Sequence, residues 1–347
     1  MFARWTAAFQ IAAVYVGTIV GAGFATGKEI VEFFTQYGFY GFLGILMSGY
    51  IFIFTGAKMM ILSSRMGAAS YEEFNRFLFG RRMAAAVNIL FLFMLLGVTA
   101  VMISGAGAVF EEQLGFSRTA GVLFTIIAAS IVLMLGIKGL FAVNSFVVPI
   151  MISFSVMLCV LTLMNTGVTE SFYTVPAKGI TWQTVLSPFA YTAFNLSLSQ
   201  AVLVPVAKEV NDEKLIKRGA ILGGVFLTVI LLTGHFSLVT LPGVGQYEIP
   251  SAELMKNVAS SFYLIFILVI YGEIFTSVIG NIFGLQQQIS MYFNVPILVI
   301  ILGIFSVAFL LSEVQYGKLL GYLYPMFGYI SMVFLVLVWR TDIRQNT

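Results

Sequence analysis

Ten long apolar stretches, separated by short polar loops, constrain this chain more than any other feature. A run of about 20 apolar residues is long enough for a helix to cross the hydrocarbon core of a bilayer. Such a span must be helical or part of a closed barrel, because lipid offers no partner to a free backbone N–H or C=O group. Stretches of this length predict an all-α polytopic membrane protein with ten transmembrane helices. The predicted segments are roughly 6–35, 38–62, 83–110, 119–137, 140–164, 182–207, 216–240, 257–288, 295–311 and 317–339.

The composition of the chain indicates which partners to expect. Hydrophobic residues make up 60% and charged residues 10% of the 347 residues, whereas a soluble domain is about a quarter charged. The net charge of +3 is small, and no basic stripe indicates nucleic acid. No metal-ligand cluster, nucleophile with a base or phosphate loop indicates an enzyme, and nothing indicates an organic cofactor or an obligate protein partner. The predicted partners are the lipid bilayer and a small-molecule substrate.

The positive charges in the loops predict the orientation of the chain. With the N-terminus in the cytoplasm, cytoplasmic loops hold thirteen of the 18 Lys and Arg residues and outer loops hold four; Lys28 lies within the first segment. An excess of Lys and Arg in cytoplasmic loops is the usual signature of membrane topology. The sequence therefore predicts a multi-pass protein of a bacterial cytoplasmic (inner) membrane with both termini cytoplasmic.

Two of the ten segments carry features that weaken a helix at its centre. The first contains VGTIVGAGFATGKE, from Val16 to Glu29, with four glycines followed by charge. The sixth contains SPFAYTAFNLSLSQAVLVPVAKEV, from Ser187 to Val210, with a polar cluster between two prolines. Backbone groups freed by unwinding are tolerated in a membrane only around a cavity or a ligand. We therefore expect helices 1 and 6 to be unwound at mid-membrane and to bind a solute. The alternative for the first segment is simple close packing of helices through its GxxxG pairs.

The positions of these two segments predict an internal repeat. They are first and sixth of ten, so the chain divides into two repeats of five helices, residues 1–164 and residues 165–347, in one transporter domain. Because five is odd, the second repeat must enter the membrane from the opposite side. Paired interrupted helices in an inverted repeat are the best sequence indication of a transporter's binding site.

Three motifs in these segments resemble a known family. The stretch GTIVGAG, from Gly17 to Gly23, resembles the unwound first helix of LeuT-type sodium symporters, and FNLSLSQA, from Phe194 to Ala201, resembles their sixth helix. The stretch IFTSVIG, from Ile274 to Gly280, resembles their eighth helix. More narrowly, YVGTIVGAGFATGKEIVEFFTQYG is similar to the YkvI-like bacterial membrane proteins, an amino acid permease group in the amino acid-polyamine-cation superfamily. The resemblance implies a LeuT-type 5+5 inverted repeat.

The resemblance also implies one sodium site between the first and eighth helices. Its ligands would be the carbonyls of Gly17, Val20 and Glu273 and the hydroxyls of Thr276 and Ser277. An alternative for the two hydroxyls is a bond back to their own helix. The second sodium site of the family is not expected, because Phe24 stands where the family has an Asn.

The substrate is expected between the two breaks. As the resemblance implies, amides near Gly21, Ala22 and Gly23 would bind a carboxylate. Carbonyls near Phe194 and Leu196 would bind an amine, and the Phe194 ring would cover the site. Polar groups of the substrate would be recognised by Asn195, Ser197 and Gln200.

Charged side chains near the first break and in the eighth segment are candidates for gating or proton coupling. A carboxylate within a span is a functional candidate, so Glu273 is expected to bind a proton, balance a cation or meet a substrate amine; otherwise it pairs with Lys28 or faces an outer vestibule. Lys28 and Glu29 are expected near the outer face, as an ion-paired gate or as solvated groups.

These observations lead to one function hypothesis with two alternatives. The hypothesis is a secondary active transporter: a Na⁺-coupled symporter of an amino acid or similar small zwitterion, working by alternating access. The first alternative is a proton-coupled permease that uses Glu273. The second is a solute-sensing membrane receptor subunit of the same fold.

Overall fold

Most helices of this protein follow the predicted apolar segments closely, but the helix of the third segment begins earlier, at Tyr71, and contains a non-helical residue, Gly80. The structure, a computed structural model, describes residues 2–166, 179–247, 249–290, 292–311 and 316–341, and every regular element in these ranges is helical. The α-helices are α1 Phe2–Ile19, α2 Ala22–Ala25, α3 Lys28–Phe33, α4 Phe39–Ile51, α5 Ala57–Met66, α6 Tyr71–Ala108, α7 Arg118–Met134, α8 Ile137–Thr166, α9 Trp182–Val210, α10 Glu213–Leu238, α11 Pro250–Ala259, α12 Tyr263–Ser290, α13 Ile297–Leu311 and α14 Tyr316–Arg340. Short π-helices at Phe52–Gly56 and Val109–Gln113 join α4 to α5 and extend α6.

Length and hydropathy identify the membrane-crossing helices. In the described ranges, six helical stretches are long and apolar enough to cross a bilayer, and four shorter apolar helices occupy the first, fourth, ninth and tenth predicted segments. The all-α class is confirmed. The count of ten crossings and the division at residues 164 and 165 stay predictions.

Burial distinguishes the central helix from the peripheral ones. In an apolar stretch of 18 residues in α9, 89% of the residues are buried, whereas in the corresponding stretch of α8 the share is 28%. An α9 buried on all sides must lie at the centre of the bundle. Most of α1 is also buried, including every residue from Ile11 to Gly17. The two segments singled out by the sequence therefore form the middle of the molecule.

The first apolar segment is interrupted where its glycines predict. Helix α1 ends at Ile19, Val20 and Gly21 are non-helical, and the one-turn α2 begins at Ala22. A second bend follows at Gly27, whose φ of 79° lies in the left-handed region that glycine adopts without a Cβ clash. The chain then continues as α3 and the short 3₁₀ helix Thr35–Tyr37. The first segment is thus three helical pieces with two changes of direction.

The sixth apolar segment is not interrupted, so this part of the prediction is wrong. Helix α9 runs without a break from Trp182 to Val210 and contains Pro188 and Pro205. It contains no glycine, so no position tolerates the strained dihedrals of a break cheaply. Several of its polar side chains bond to their own helix instead: Thr192 Oγ1 donates to the Pro188 carbonyl at 2.7 Å, and Ser199 Oγ donates to the Leu196 carbonyl at 3.1 Å.

Candidate functional site

The break in the first segment lies directly against Ser277 of α12. Ser277 Oγ donates a hydrogen bond to the carbonyl of Val20 at 2.6 Å and a longer one to the carbonyl of Gly17 at 3.4 Å. Ser277 is 3% exposed, so these hydrogen bonds are shielded from solvent. Because the helix stops at Ile19, the Val20 carbonyl is at a helix end, where carbonyls lack intrahelical partners. Three of the five oxygens expected to bind an ion are therefore in mutual contact.

The other two expected ligands also lie on α12: Glu273 is one turn before Ser277, and Thr276 is the residue next to Ser277. Thr276 Oγ1 donates to the backbone carbonyl of Glu273 at 2.9 Å, and Thr276 is 1% exposed. This is the back-bond to its own helix that the alternative interpretation of the hydroxyls describes. Ser277 differs, because its bonds cross to the other helix.

The chemistry of this oxygen set fits a hard cation. Its members are neutral carbonyl and hydroxyl oxygens, which suit hard cations, whereas soft transition metals favour thiolate and imidazole. No three His, Cys, Asp or Glu side chains come together within the described ranges. Residues Gly17, Val20, Glu273, Thr276 and Ser277 are thus the ones that would hold sodium, and a bound ion would supply positive charge beside the break.

A small cavity lies next to this oxygen set, between the break and α9. Its volume is about 20 Å³, room for about one water molecule. Four elements contribute its walls in addition to the first segment: α6, α9, α12 and α14. The lining residues are Thr18, Ile19, Gly21, Glu29, Val98, Met102, Phe194, Asn195, Leu198, Ser277, Asn281 and Tyr324. We call this space the central cavity.

Glu29 lies in the central cavity, which corrects its expected position near the outer face. The side chain is 2% exposed, and Oε1 accepts a 3.4 Å hydrogen bond from Asn195 Nδ2. The bend at Gly27 turns α3 back toward α9, so Glu29 points inward and is not solvated. Asn195 also donates to the Tyr191 carbonyl at 3.0 Å. Of the predicted substrate residues, Gly21, Phe194 and Asn195 line this cavity with it.

Lys28, the neighbour of Glu29, points in another direction. Its Nζ donates to the backbone carbonyls of Gly245 and Tyr247 at 2.9 and 3.0 Å. Adjacent residues on a helix are separated by about 100°, so the two side chains cannot share one surface. Lys28 therefore anchors the loop between α10 and α11, and the structure shows no Lys28–Glu29 ion pair in the described part of the chain.

Glu273 faces a second cavity. This space of about 40 Å³ lies between the first segment beyond its break and helices α8, α10, α11 and α12, and Phe24, Ser237 and Ser251 are among its lining residues. Glu273 is 7% exposed, and its Oε2 has no hydrogen-bond partner among the described residues. Its carbonyl thus belongs to the oxygen set, while its carboxyl group lies outside the central cavity. Contact between Glu273 and a substrate in that cavity is not supported.

Three predicted substrate residues of α9 do not line the central cavity. An unbroken helix turns about 100° per residue, so Gln200 lies about 140° around from Asn195 and Ser197 lies about 160° from it. Both are fully buried, and neither side chain has a hydrogen-bond partner in the described ranges. The carbonyl of Leu196, expected to be freed for an amine, accepts from Ser199 within the continuous helix. The expected amine site at the Phe194 and Leu196 carbonyls is therefore wrong.

The remaining predicted residues, Ala22 and Gly23, form the start of α2. The backbone of Ala22 begins this helix, and the Gly23 carbonyl accepts from Thr26 Oγ1 at 3.2 Å. The assignment of their amides to a carboxylate stays a prediction.

Sequence reasoning missed seven of the twelve residues that line the central cavity, among them Met102, Asn281 and Tyr324. Asn281 lies one turn after Ser277 on α12, and that spacing of four was the available signal. Met102 of α6 and Tyr324 of α14 gave none, because only the packing of distant helices brings them here. The ring of Tyr324 lies 4.6 Å from that of Phe194 between centroids. Tyr324, from the tenth predicted segment, thus adds a second ring beside Phe194.

Two proteins of Bacillus subtilis are similar to this chain over nearly its whole length. No family model matches the chain. It is 48% identical over 335 residues to the membrane protein YkvI of Bacillus subtilis (strain 168), covering 94% of each chain, and 24% identical over 337 residues to the protein YyaD of the same organism, covering 96% of each.

Solved structures show the same fold at low sequence identity. MhsT in complex with L-phenylalanine has a TM-score of 0.69 at 14% identity, over 95% of this chain and 86% of that one. Mhp1, a nucleobase-cation-symport-1 family transporter in a closed conformation with bromovinylhydantoin bound, has a TM-score of 0.62 at 14% identity, over 98% and 80%. A manganese transporter of Eremococcus coleocola has a TM-score of 0.60 at 15% identity, over 97% and 77%. Mhp1 and the Eremococcus protein are described as transporters. With nearly half of its residues shared with YkvI over almost the whole chain, the protein belongs to the YkvI family of membrane proteins and has the LeuT-type transporter fold.

Proposed function

We propose that the protein is a secondary active transporter that couples sodium entry to the uptake of an amino acid or a similar small zwitterion. It works by alternating access in a bacterial cytoplasmic membrane, with both termini cytoplasmic. The observation that carries the proposal is the break at Val20 and Gly21, which presents backbone carbonyls to Ser277 on another helix. In lipid, an interruption of this kind is tolerated where it lines a cavity or binds a ligand.

The fold of the solved neighbours supports transport as the general function. Mhp1 and the Eremococcus protein are described as transporters, and MhsT was crystallised with an amino acid. Their low identity limits this support to the fold. The oxygen set of Gly17, Val20, Glu273, Thr276 and Ser277 supports sodium, because neutral oxygen ligands suit a hard cation.

The size of the central cavity supports alternating access. A space of about 20 Å³ holds one water and no amino acid, so a substrate enters only after the surrounding helices move. A closed conformation of a transporter would have a central cavity of this size. The amides near Gly21, Ala22 and Gly23 are the proposed carboxylate ligands, and the Phe194 ring is the proposed cover.

Proton coupling through Glu273 is a second candidate, favoured by one observation. The carboxyl group is buried, and Oε2 has no hydrogen-bond partner among the described residues. A buried ionisable group of this kind in a span commonly marks an ion or proton pathway.

Purified protein in liposomes tests the proposal. Radiolabelled amino acids are presented under an inward sodium gradient, under an inward proton gradient and without a gradient. Accumulation driven by sodium supports the first candidate, and accumulation driven only by protons and lost in Glu273→Gln supports the second. A solute that binds without gradient-driven uptake identifies a sensor and contradicts transport.

A further inference from the structure

Glu29 is an ionisable side chain buried in the proposed substrate cavity. Its 3.4 Å hydrogen bond from Asn195 is long, at the weak end of such bonds. A buried carboxylate without a strong partner is costly in a membrane interior, and it marks a substrate or ion pathway by default. The fold positions it there through the positive φ of Gly27, which turns α3 toward α9.

The protein supplies no cation to Glu29 in the described ranges. None of the residues lining the central cavity is Lys, Arg or His. Lys28 is adjacent in sequence, but its Nζ bonds to two loop carbonyls instead. When Glu29 is ionised, the positive charge that balances it therefore comes from outside the protein.

The aromatic side chains that line the cavity suit an organic cation better than a bare metal ion. The rings of Phe194 and Tyr324 lie 4.6 Å apart between centroids and line the same space as Glu29. Aromatic faces attract ammonium groups, and desolvation strengthens the effect. A carboxylate and two aromatic rings that line one buried space are the groups that bind an ammonium ion.

From this arrangement we infer that Glu29 binds the ammonium group of the substrate, which restricts transport to solutes with a free amine. This inference rests on the proposed function, and it replaces the carbonyls of α9 as the amine site. Asn195 holds the Glu29 carboxylate in place, and Phe194 and Tyr324 cover the ammonium group. Neutral analogues and analogues acylated on nitrogen are excluded, because they leave the carboxylate buried and unpaired.

A thermal-shift screen of the purified full chain tests the inference. The probes are the amino acids, the simple amines tyramine and isoamylamine, and the N-acetyl derivative of each, all in sodium. We expect every stabilising probe to carry a free amine. Glu29→Gln keeps the shape of the side chain and removes its charge. In this variant the binding of the stabilising amines should be weaker by about 30-fold or more, as for buried charge pairs that lose one partner. Glu29→Asp, which keeps the charge, should recover part of this loss.

Glu32→Gln is the matched control, since Glu32 lies on the same short helix but does not line the cavity. It should bind the probes as the wild type does. Glu29→Gln should still be stabilised by sodium relative to choline, and this result would show that the variant is folded. The inference is overturned if Glu29→Gln binds amines normally, if an N-acetyl derivative binds as well as its amine, or if no free amine stabilises the wild type. If sodium does not stabilise the wild type relative to choline, the sodium site of the proposed function is refuted instead.

Discussion

The contact between α1 and α8 at Gly17 gives the sharpest test of the packing around the break. A Cβ atom added at Gly17 would lie 1.7 Å from Asn144 Oδ1 and 2.9 Å from Asn144 Cγ. Both distances are far below van der Waals contact, so Gly17→Ala forces the Asn144 side chain to move. This side chain is fully buried and donates to the Leu140 carbonyl at 2.8 Å.

The expected cost combines two effects. Overpacking a close-packed interior costs about 1–3 kcal/mol. Moving Asn144 also breaks its hydrogen bond to Leu140, worth about 1 kcal/mol. We therefore expect Gly17→Ala to lower the free energy of unfolding by about 2–4 kcal/mol. The carbonyl of Gly17 shifts with the helix, so the variant should also bind sodium more weakly.

Thermal unfolding of the purified protein measures the first effect. A second variant, Asn144→Ala, removes the clashing atoms. The loss in the free energy of unfolding of the double variant should therefore be smaller than the sum of the two single losses by at least about 1 kcal/mol. The control is Gly303→Ala on α13, where an added Cβ meets no atom within 4 Å. A Gly17→Ala protein as stable as the control, or a double variant without this recovery, would refute the packing described here.

Two other contacts give further predictions. Gly284→Ala would place a Cβ 2.5 Å from Ala201 Cβ and 3.0 Å from its carbonyl oxygen; we expect a loss of about 1–3 kcal/mol in the free energy of unfolding, and unchanged thermal stability would contradict the close approach of α12 to α9. Lys28→Met removes the bonds to the Gly245 and Tyr247 carbonyls, and amide hydrogen exchange in that loop should rise about fivefold for a lost contact of about 1 kcal/mol. Equal exchange in the variant and the wild type would show that Lys28 does not anchor the loop.

Some features of the fold could be predicted because single residue types dictate them. Long apolar runs must form helices in lipid, so the bounds of most helices follow the predicted segments. Glycines at 17, 21, 23 and 27 permit an interrupted helix, and the interruption lies among them. The contact of Ser277 with Val20 followed from a resemblance between motifs, and the structure brings these two residues together.

Other features were beyond the sequence because they depend on contacts between distant segments. The polar cluster of α9 looked like a break, but Thr192 and Ser199 bond to carbonyls of their own helix and leave it continuous. Glu29 looked solvated because it follows Lys28, yet the bend at Gly27 buries it beside Asn195. Tyr324 reaches Phe194 from α14, and no spacing within either helix indicates that contact.

The binding of radioactive sodium to the purified protein tests the central claim most directly. The claim is that the break after Ile19 and the hydroxyl of Ser277 together form a sodium site. We expect saturable sodium binding to the wild type and an affinity at least about tenfold lower in Ser277→Ala, since an uncharged group bonded to a charge contributes about 1.5–3 kcal/mol. Ser130→Ala, which removes a hydroxyl that bonds within its own helix, should bind sodium normally. Equal sodium affinity in Ser277→Ala and the wild type would contradict the account.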